Sequence, residues 1–139
     1  MRGNPDYAHH IVHEDDDSIV FLNKYPTLKG YCLVAPKRHL SDLAEDLSES
    51  QHLQLQAVVH RLARAFKRTL PAERIYVLSL GSVHGNSHLH WHVAPLPPGV
   101  PYEQQQYYSL MAENGIFDLP AETMADLARS IGDTFRAGG

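Results

Sequence analysis

His88-Leu-His-Trp-His-Val-Ala94 is the stretch on which the fold and the chemistry of this chain turn. Histidine alternates with Leu89, Trp91 and Val93, and successive side chains of a strand point to opposite faces. The pattern therefore predicts a strand with three imidazoles on one side and an apolar surface on the other. Neighbouring rings are rooted about 6.6 Å apart and the row spans about 13 Å, a span that suits a phosphate and its neighbours. A chance set of exposed histidines is the plain alternative, and strict alternation with large apolar residues weighs against it. Metal binding is the stronger rival, because two histidines at i and i+2 can converge on one ion, with His84 or His39 as a third ligand. Against it, the outer pair is too widely spaced for one zinc with bonds of about 2.0 to 2.1 Å, and no nearby Asp, Glu or Cys completes a set.

Outward from this stretch, Ile75 to Leu80 reads as a strand, and Gly81 to Ser87 as a small polar loop whose backbone N–H groups and Ser82, Asn86 and Ser87 side chains could cradle phosphate. An ordinary glycine-containing connection is the alternative for that loop. Ser48, followed three residues later by Gln51, forms a capping box that starts a long helix ending before Pro71. Leu55, Val58, Val59, Leu62, Ala63, Phe66 and Leu70 make its apolar stripe. Ser18 to Leu22 and Tyr31 to Ala35 are apolar runs joined by a short connection with Pro26 and Gly30, an antiparallel hairpin. His9 to Val12 reads as a short strand, and Met1 to Ala8 as a frayed arm. Pro95, Pro97, Pro98 and Pro101 exclude helix and central strand. Tyr102 to Glu113 reads as a short helix. Pro120 opens a last one with Met124, Leu127, Ala128, Ile131 and Phe135 on one face.

The 139 residues carry 43% hydrophobic and 20% charged positions, which suits one domain over 1–139. A formal charge of −4 leaves no chain-wide basic field for nucleic acid and favours a small ligand. No apolar run is long enough for a membrane helix and no secretory signal is evident, so a cytoplasmic protein is expected. The lone Cys32 excludes an internal disulfide.

The triad stretch resembles the HxHxHxx signature of the histidine triad (HIT) superfamily of nucleotide hydrolases and transferases, and all seven positions comply. Phe21-Leu-Asn-Lys-Tyr-Pro26 and Gly30-Tyr-Cys-Leu-Val-Ala-Pro-Lys-Arg-His39 resemble the family's ribose-side strand and hairpin. The resemblance covers about Ile11 to Pro95, with 96–139 as an extension. It implies an α+β HIT-like fold: about five mainly antiparallel strands, one long helix on one face, a C-terminal helix covering an edge, and a homodimer. It also makes His90 the nucleophile toward an α-phosphate, His92 the group facing the phosphate or leaving group, His88 the residue that orients His90, and His39 an added donor on the same face. Asn23 falls where the family hydrogen-bonds ribose, although an Asn that ends a strand in a turn is an ordinary alternative. Phe21, Leu22 and Leu33 are candidates for a base slot or for the core.

The family's bacterial zinc-binding Cys residues are missing from Met1 to Asp17, so no structural zinc is expected and no cofactor is required. The phosphorylase branch carries Gln at the third triad position, whereas His92 stands here, which favours water as acceptor. The expected activity is attack on a dinucleoside polyphosphate or nucleoside phosphoramidate through a nucleotidyl-histidine, closest to the diadenosine polyphosphate hydrolase branch. A nucleotide-binding module with vestigial turnover and a metal-dependent hydrolase are the alternatives.

Overall fold

Two apolar runs close to each other in sequence pair. β2 (Ser18–Leu22) and β3 (Cys32–Pro36) form the expected antiparallel hairpin, in register from Ser18 opposite Pro36 to Leu22 opposite Cys32. The computed structural model describes residues 10–82 and 87–138. Gly30 lies at φ +92° in the connection, a conformation natural to glycine, and a Cβ there would sit 2.5 Å from Leu70 Cδ1. The backbone N–H of Asn23 closes the loop on the Tyr31 carbonyl at 2.8 Å.

β1 (Ile11–Glu14), β4 (Arg74–Leu78) and β5 (Trp91–Leu96) complete a five-stranded sheet in the order β1-β2-β3-β5-β4, every neighbouring pair antiparallel. The α+β architecture expected from the sequence is the one observed. β1 is described from Ile11, His9 lying outside the described residues, and β4 ends at Leu78 rather than Leu80.

Alternation gives the sheet two faces. Val20, Leu22, Cys32, Val34, Trp91 and Val93 point toward the helices. Ile19, Phe21 and Ala35 form a cluster on the other face, and Tyr31, Ala94 and Leu96 a second one there. α1 (Glu49–Thr69) begins at Ser48, whose hydroxyl accepts from Gln51 N–H while the Gln51 side chain accepts from Ser48 N–H. It buries Leu55, Val59, Leu62, Ala65 and Phe66, each large side chain contributing about 1.5–3 kcal/mol. α3 (Ala121–Arg136) buries Met124, Ala128, Ile131, Gly132 and Phe135 in the same core. It lies beside α1 on that face and reaches the β1 edge through Arg136 Nη1, which donates to Val12 O at 3.1 Å.

The structure corrects three expectations. The single helix expected over Tyr102 to Glu113 is instead a 3-10 turn at Tyr102–Gln104, the four-residue α2 (Tyr107–Leu110) and a second 3-10 turn at Ala112–Asn114. Gln106 takes a positive φ of 56° between the first two, its N–H held by the Tyr76 hydroxyl at 2.8 Å. Pro95 lies inside β5, opposite Ile75 of β4. It is tolerated because β3 pairs with β5 only as far as Val93, so one side of the ladder is already open at Pro95. β5 begins at Trp91, so His88 and His90 precede the strand that the alternation placed them on. Among the described residues, no helix is long and apolar enough to cross a membrane.

Candidate active site

His92 stands fourth in a transverse row of five residues. Ile11 pairs with Phe21, Phe21 with Leu33, Leu33 with His92, and His92 with Leu78, so the five side chains share the face away from the helices. The third histidine is thus framed by apolar residues on both flanks. Leu22 belongs to the helix-side core and Phe21, 2% exposed, to a buried cluster with Ile19 and Ala35, which removes both from the candidates for a base slot; Leu33 remains, partly buried, on the triad face.

The residues before β5 keep the alternating sense although they leave the ladder. Leu89 is buried in the helix-side core and its N–H donates to Leu40 O at 2.6 Å. Ser79, just past β4, donates its hydroxyl to His90 O at 2.7 Å. A side chain thereby substitutes for the missing strand bond, and the backbone is gripped on both sides of His90. His90 is 8% exposed, and its ring lies 4.8 Å from that of His92, edge to face at 68°.

Hydrogen bonds to carbonyls fix where the ring protons sit, because a carbonyl only accepts. His90 Nδ1 donates to the His88 carbonyl at 2.8 Å. In the neutral ring this leaves the lone pair on Nε2, which has no hydrogen bond among the described residues. His88 Nε2 donates to Pro36 O at 2.7 Å, and its Nδ1 lies 3.2 Å from Nδ1 of His39. The His39 and His88 rings stack with centroids 5.1 Å apart. Burial lowers the pKa of His88; the Pro36 carbonyl offsets part of this and His39 adds to it. His92 Nδ1 meets the Tyr31 hydroxyl at 2.7 Å. Burial, with His90 adding to it, takes the pKa of His92 down to about 4, so that ring is neutral at pH 7.

The structure therefore brings His88, His90, His92 and His39 together, with His39 against His88 rather than against His90. Asn23 directly follows β2 and its Oδ1 accepts from Tyr25 N–H at 3.0 Å. It forms the turn that the ordinary reading predicted, and that oxygen is engaged. Ser82 is exposed and Ser87 partly buried; Asn86 and His84 lie outside the described residues. Tyr31, Ser79 and the Pro36 carbonyl are contributors that sequence reasoning missed. Tyr31 stood inside the motif-like hairpin, but nothing in the chain marks a residue 61 positions from His92 as its partner. On the Leu78 side of the row lies a groove of about 920 Å³, lined among others by Tyr76, Leu78, Leu96, Gln105, Tyr107 and Leu110. Among the described residues, no group of three or more His, Cys, Asp or Glu is arranged to hold a metal ion.

The HIT domain family matches residues 4–98. Over 89 residues the chain is 33% identical to an uncharacterized HIT-like protein of Saccharolobus solfataricus, covering 62% of this chain and 63% of that protein. Over 78 residues it is 37% identical to an AP-4-A phosphorylase of Mycobacterium tuberculosis, covering 53% of this chain and 40% of that protein. The chain thus spans less than two thirds of the length of these relatives. The crystal structure of a Hit-like protein involved in cell-cycle regulation from Bartonella henselae superposes with a TM-score of 0.71 at 28% identity, covering 89% of this chain and 85% of that one.

Proposed function

The chain belongs to the HIT domain family, and from that premise we propose that it cleaves nucleotides at the α-phosphate through a nucleotidyl intermediate on His90. The observation that carries this reading is the bond from His90 Nδ1 to the His88 carbonyl. It favours a ring whose Nε2 lone pair is free to attack. In the first step a bond forms from Nε2 to the α-phosphorus, and the bond to the bridging oxygen or amide nitrogen breaks with its electron pair, a nitrogen leaving group taking up a proton from solvent. In the second, water attacks the same phosphorus and gives up a proton to solvent, the P–N bond breaks with its electron pair returning to His90 Nε2, and a nucleoside monophosphate leaves. Dividing the displacement in two replaces one difficult hydrolysis with two easier transfers. His92 faces the phosphate, His88 orients His90, and His39 supports His88.

The substrate class we infer is a dinucleoside polyphosphate or a nucleoside phosphoramidate. Leu33 supplies an apolar surface for the base, Asn23 a polar group for ribose through the amide nitrogen its turn leaves over, and Ser82, Asn86 and Ser87 donors for phosphate. The groove beyond Leu78 gives a large leaving group room on the opposite flank, which favours the dinucleoside class, and the AP-4-A phosphorylase likeness supports it. Water is the acceptor we favour, since His92 occupies the position where the phosphorylase branch carries Gln. The reaction needs no cofactor in this scheme. A homodimer, as the resemblance implies, completes the proposal.

Intact-mass spectrometry of the chain mixed with diadenosine polyphosphates and adenosine phosphoramidate tests the scheme. The expected result is an acid-labile adenylyl adduct that disappears in His90→Ala, with turnover abolished and nucleotide affinity kept within a few-fold. Full turnover in that variant would overturn the covalent route, and tight binding without turnover in the wild type would make the chain a binding module.

A further inference from the structure

Tyr31 lies one residue before β3, only 5% exposed, packed among Leu28, Ala94 and Leu96. Its hydroxyl is 2.7 Å from His92 Nδ1, and the two rings meet edge to face at 5.8 Å and 83°. Its backbone is equally engaged: the N–H donates to Leu28 O at 3.1 Å, and the carbonyl accepts from Asn23 N–H at 2.8 Å. One residue thus touches both the end of β2 that carries Asn23 and the third histidine of the triad.

A buried hydroxyl has one hydrogen and needs an acceptor for it. Among the described residues, His92 Nδ1 is the acceptor set against Tyr31. If Nδ1–H donated to the phenolic oxygen instead, the hydroxyl hydrogen would be left unmatched inside an apolar cluster. Burial also pushes the Tyr31 hydroxyl up to about 12, so it keeps its hydrogen across the physiological range. A neutral imidazole whose Nδ1 accepts carries its proton on Nε2. Nε2 of His92 is itself buried and has no hydrogen-bond partner among the described residues, so a donor stands there with no acceptor among them.

We propose that Tyr31 is a positioning residue of this site: its hydroxyl donates to His92 Nδ1, fixes the ring proton on Nε2, and so makes that nitrogen the hydrogen-bond donor for a non-bridging oxygen of the substrate phosphate. The proposal rests on the phosphate-transfer reading of the triad and narrows it. His92 acts by holding charge and keeps its own proton, since the ring is neutral at pH 7 and a neutral imidazole is a poor acid.

Nitrogen-15 NMR of the histidine rings in the substrate-free full chain at pH 7 reads the tautomer directly. The expected result is the Nε2–H form for His92 in the wild type and a mixture in Tyr31→Phe, with the Nδ1–H form of His90 unchanged in both. For the same variant, kcat on a diadenosine polyphosphate should fall about five- to tenfold with KM within about twofold, the size expected for one hydrogen bond made in the transition state. An Nδ1–H form of His92 in the wild type, or an unaltered tautomer in Tyr31→Phe, overturns the proposal. Because the spectra need no substrate, a chain that turned over no nucleotide would remove the reaction reading while the tautomer still decided the role of Tyr31.

Discussion

The Nδ1 atoms of His39 and His88 lie 3.2 Å apart, a separation that accommodates one hydrogen between two nitrogens and not two. With His88 Nε2 committed to the Pro36 carbonyl, His88 Nδ1 is the acceptor and His39 the donor. Replacing His39 by Ala leaves a half-buried ring nitrogen without its donor and frees the His88 ring to tilt. The expected effect is a loss of about three- to tenfold in kcat with KM little changed. Steady-state kinetics on a diadenosine polyphosphate checks it, and unaltered kcat would separate His39 from the site.

Acid should weaken the fold through His92. In the unfolded chain the ring takes a proton near pH 6.5, whereas in the native fold burial and His90 delay this to about pH 4. Between those values the unfolded state binds the extra proton, so stability falls as pH drops from about 6.5 to 4 and levels off below. Discounted for partial solvent access, the loss is about 2 kcal/mol. His88, also lowered by burial, acts in the same direction. Urea unfolding at pH 7 and pH 4.5 measures the difference, which His92→Gln should reduce; an equal difference in both proteins would assign the pH dependence elsewhere.

Chelation should leave turnover intact. Both ring nitrogens of His88 are engaged, Nε2 by the Pro36 carbonyl and Nδ1 by His39, so a metal held by all three triad histidines would need His88 to abandon one of these partners. Dialysis against a strong chelator followed by an activity assay is the check, and a loss restored by added zinc would replace the covalent scheme with a metal-dependent one.

Gly132 packs α3 against the backbone carbonyl of Val12 in β1. A Cβ added there would collide with the carbonyl oxygen of Val12 and crowd the guanidinium of Arg136, which itself donates to that carbonyl. Backbone cannot yield as a flexible side chain can. Gly132→Ala should therefore destabilise the protein by about 1–3 kcal/mol, read by chemical denaturation, while an unchanged midpoint would mean that the helix slides without cost.

The elements that depend on neighbours in the chain were legible. The Ser48–Gln51 box, the three- and four-residue spacing of α1 and α3, and the apolar runs of β2 and β3 each act within a turn or a hairpin. Local stereochemistry alone specifies them. The segment from Tyr102 to Asn114 was misread for the opposite reason: its break at Gln106 is held by the hydroxyl of Tyr76, a residue of β4.

For the site, the sequence by itself determined which residues alternate, and hence that His88, His90 and His92 oppose Leu89, Trp91 and Val93. It also determined the family likeness carried by that spacing. Only the tertiary structure decided how far the strand runs and what each ring holds. Before Trp91 the backbone of Leu89 and His90 bonds instead to Leu40 and to the Ser79 hydroxyl, and the His88 ring to the Pro36 carbonyl. The proton on each imidazole follows from the carbonyl or hydroxyl set against it. Alternation is a property of one backbone; hydrogen-bond partnership is a property of chains brought together, and it is settled when the sheet closes around Tyr31 and His92.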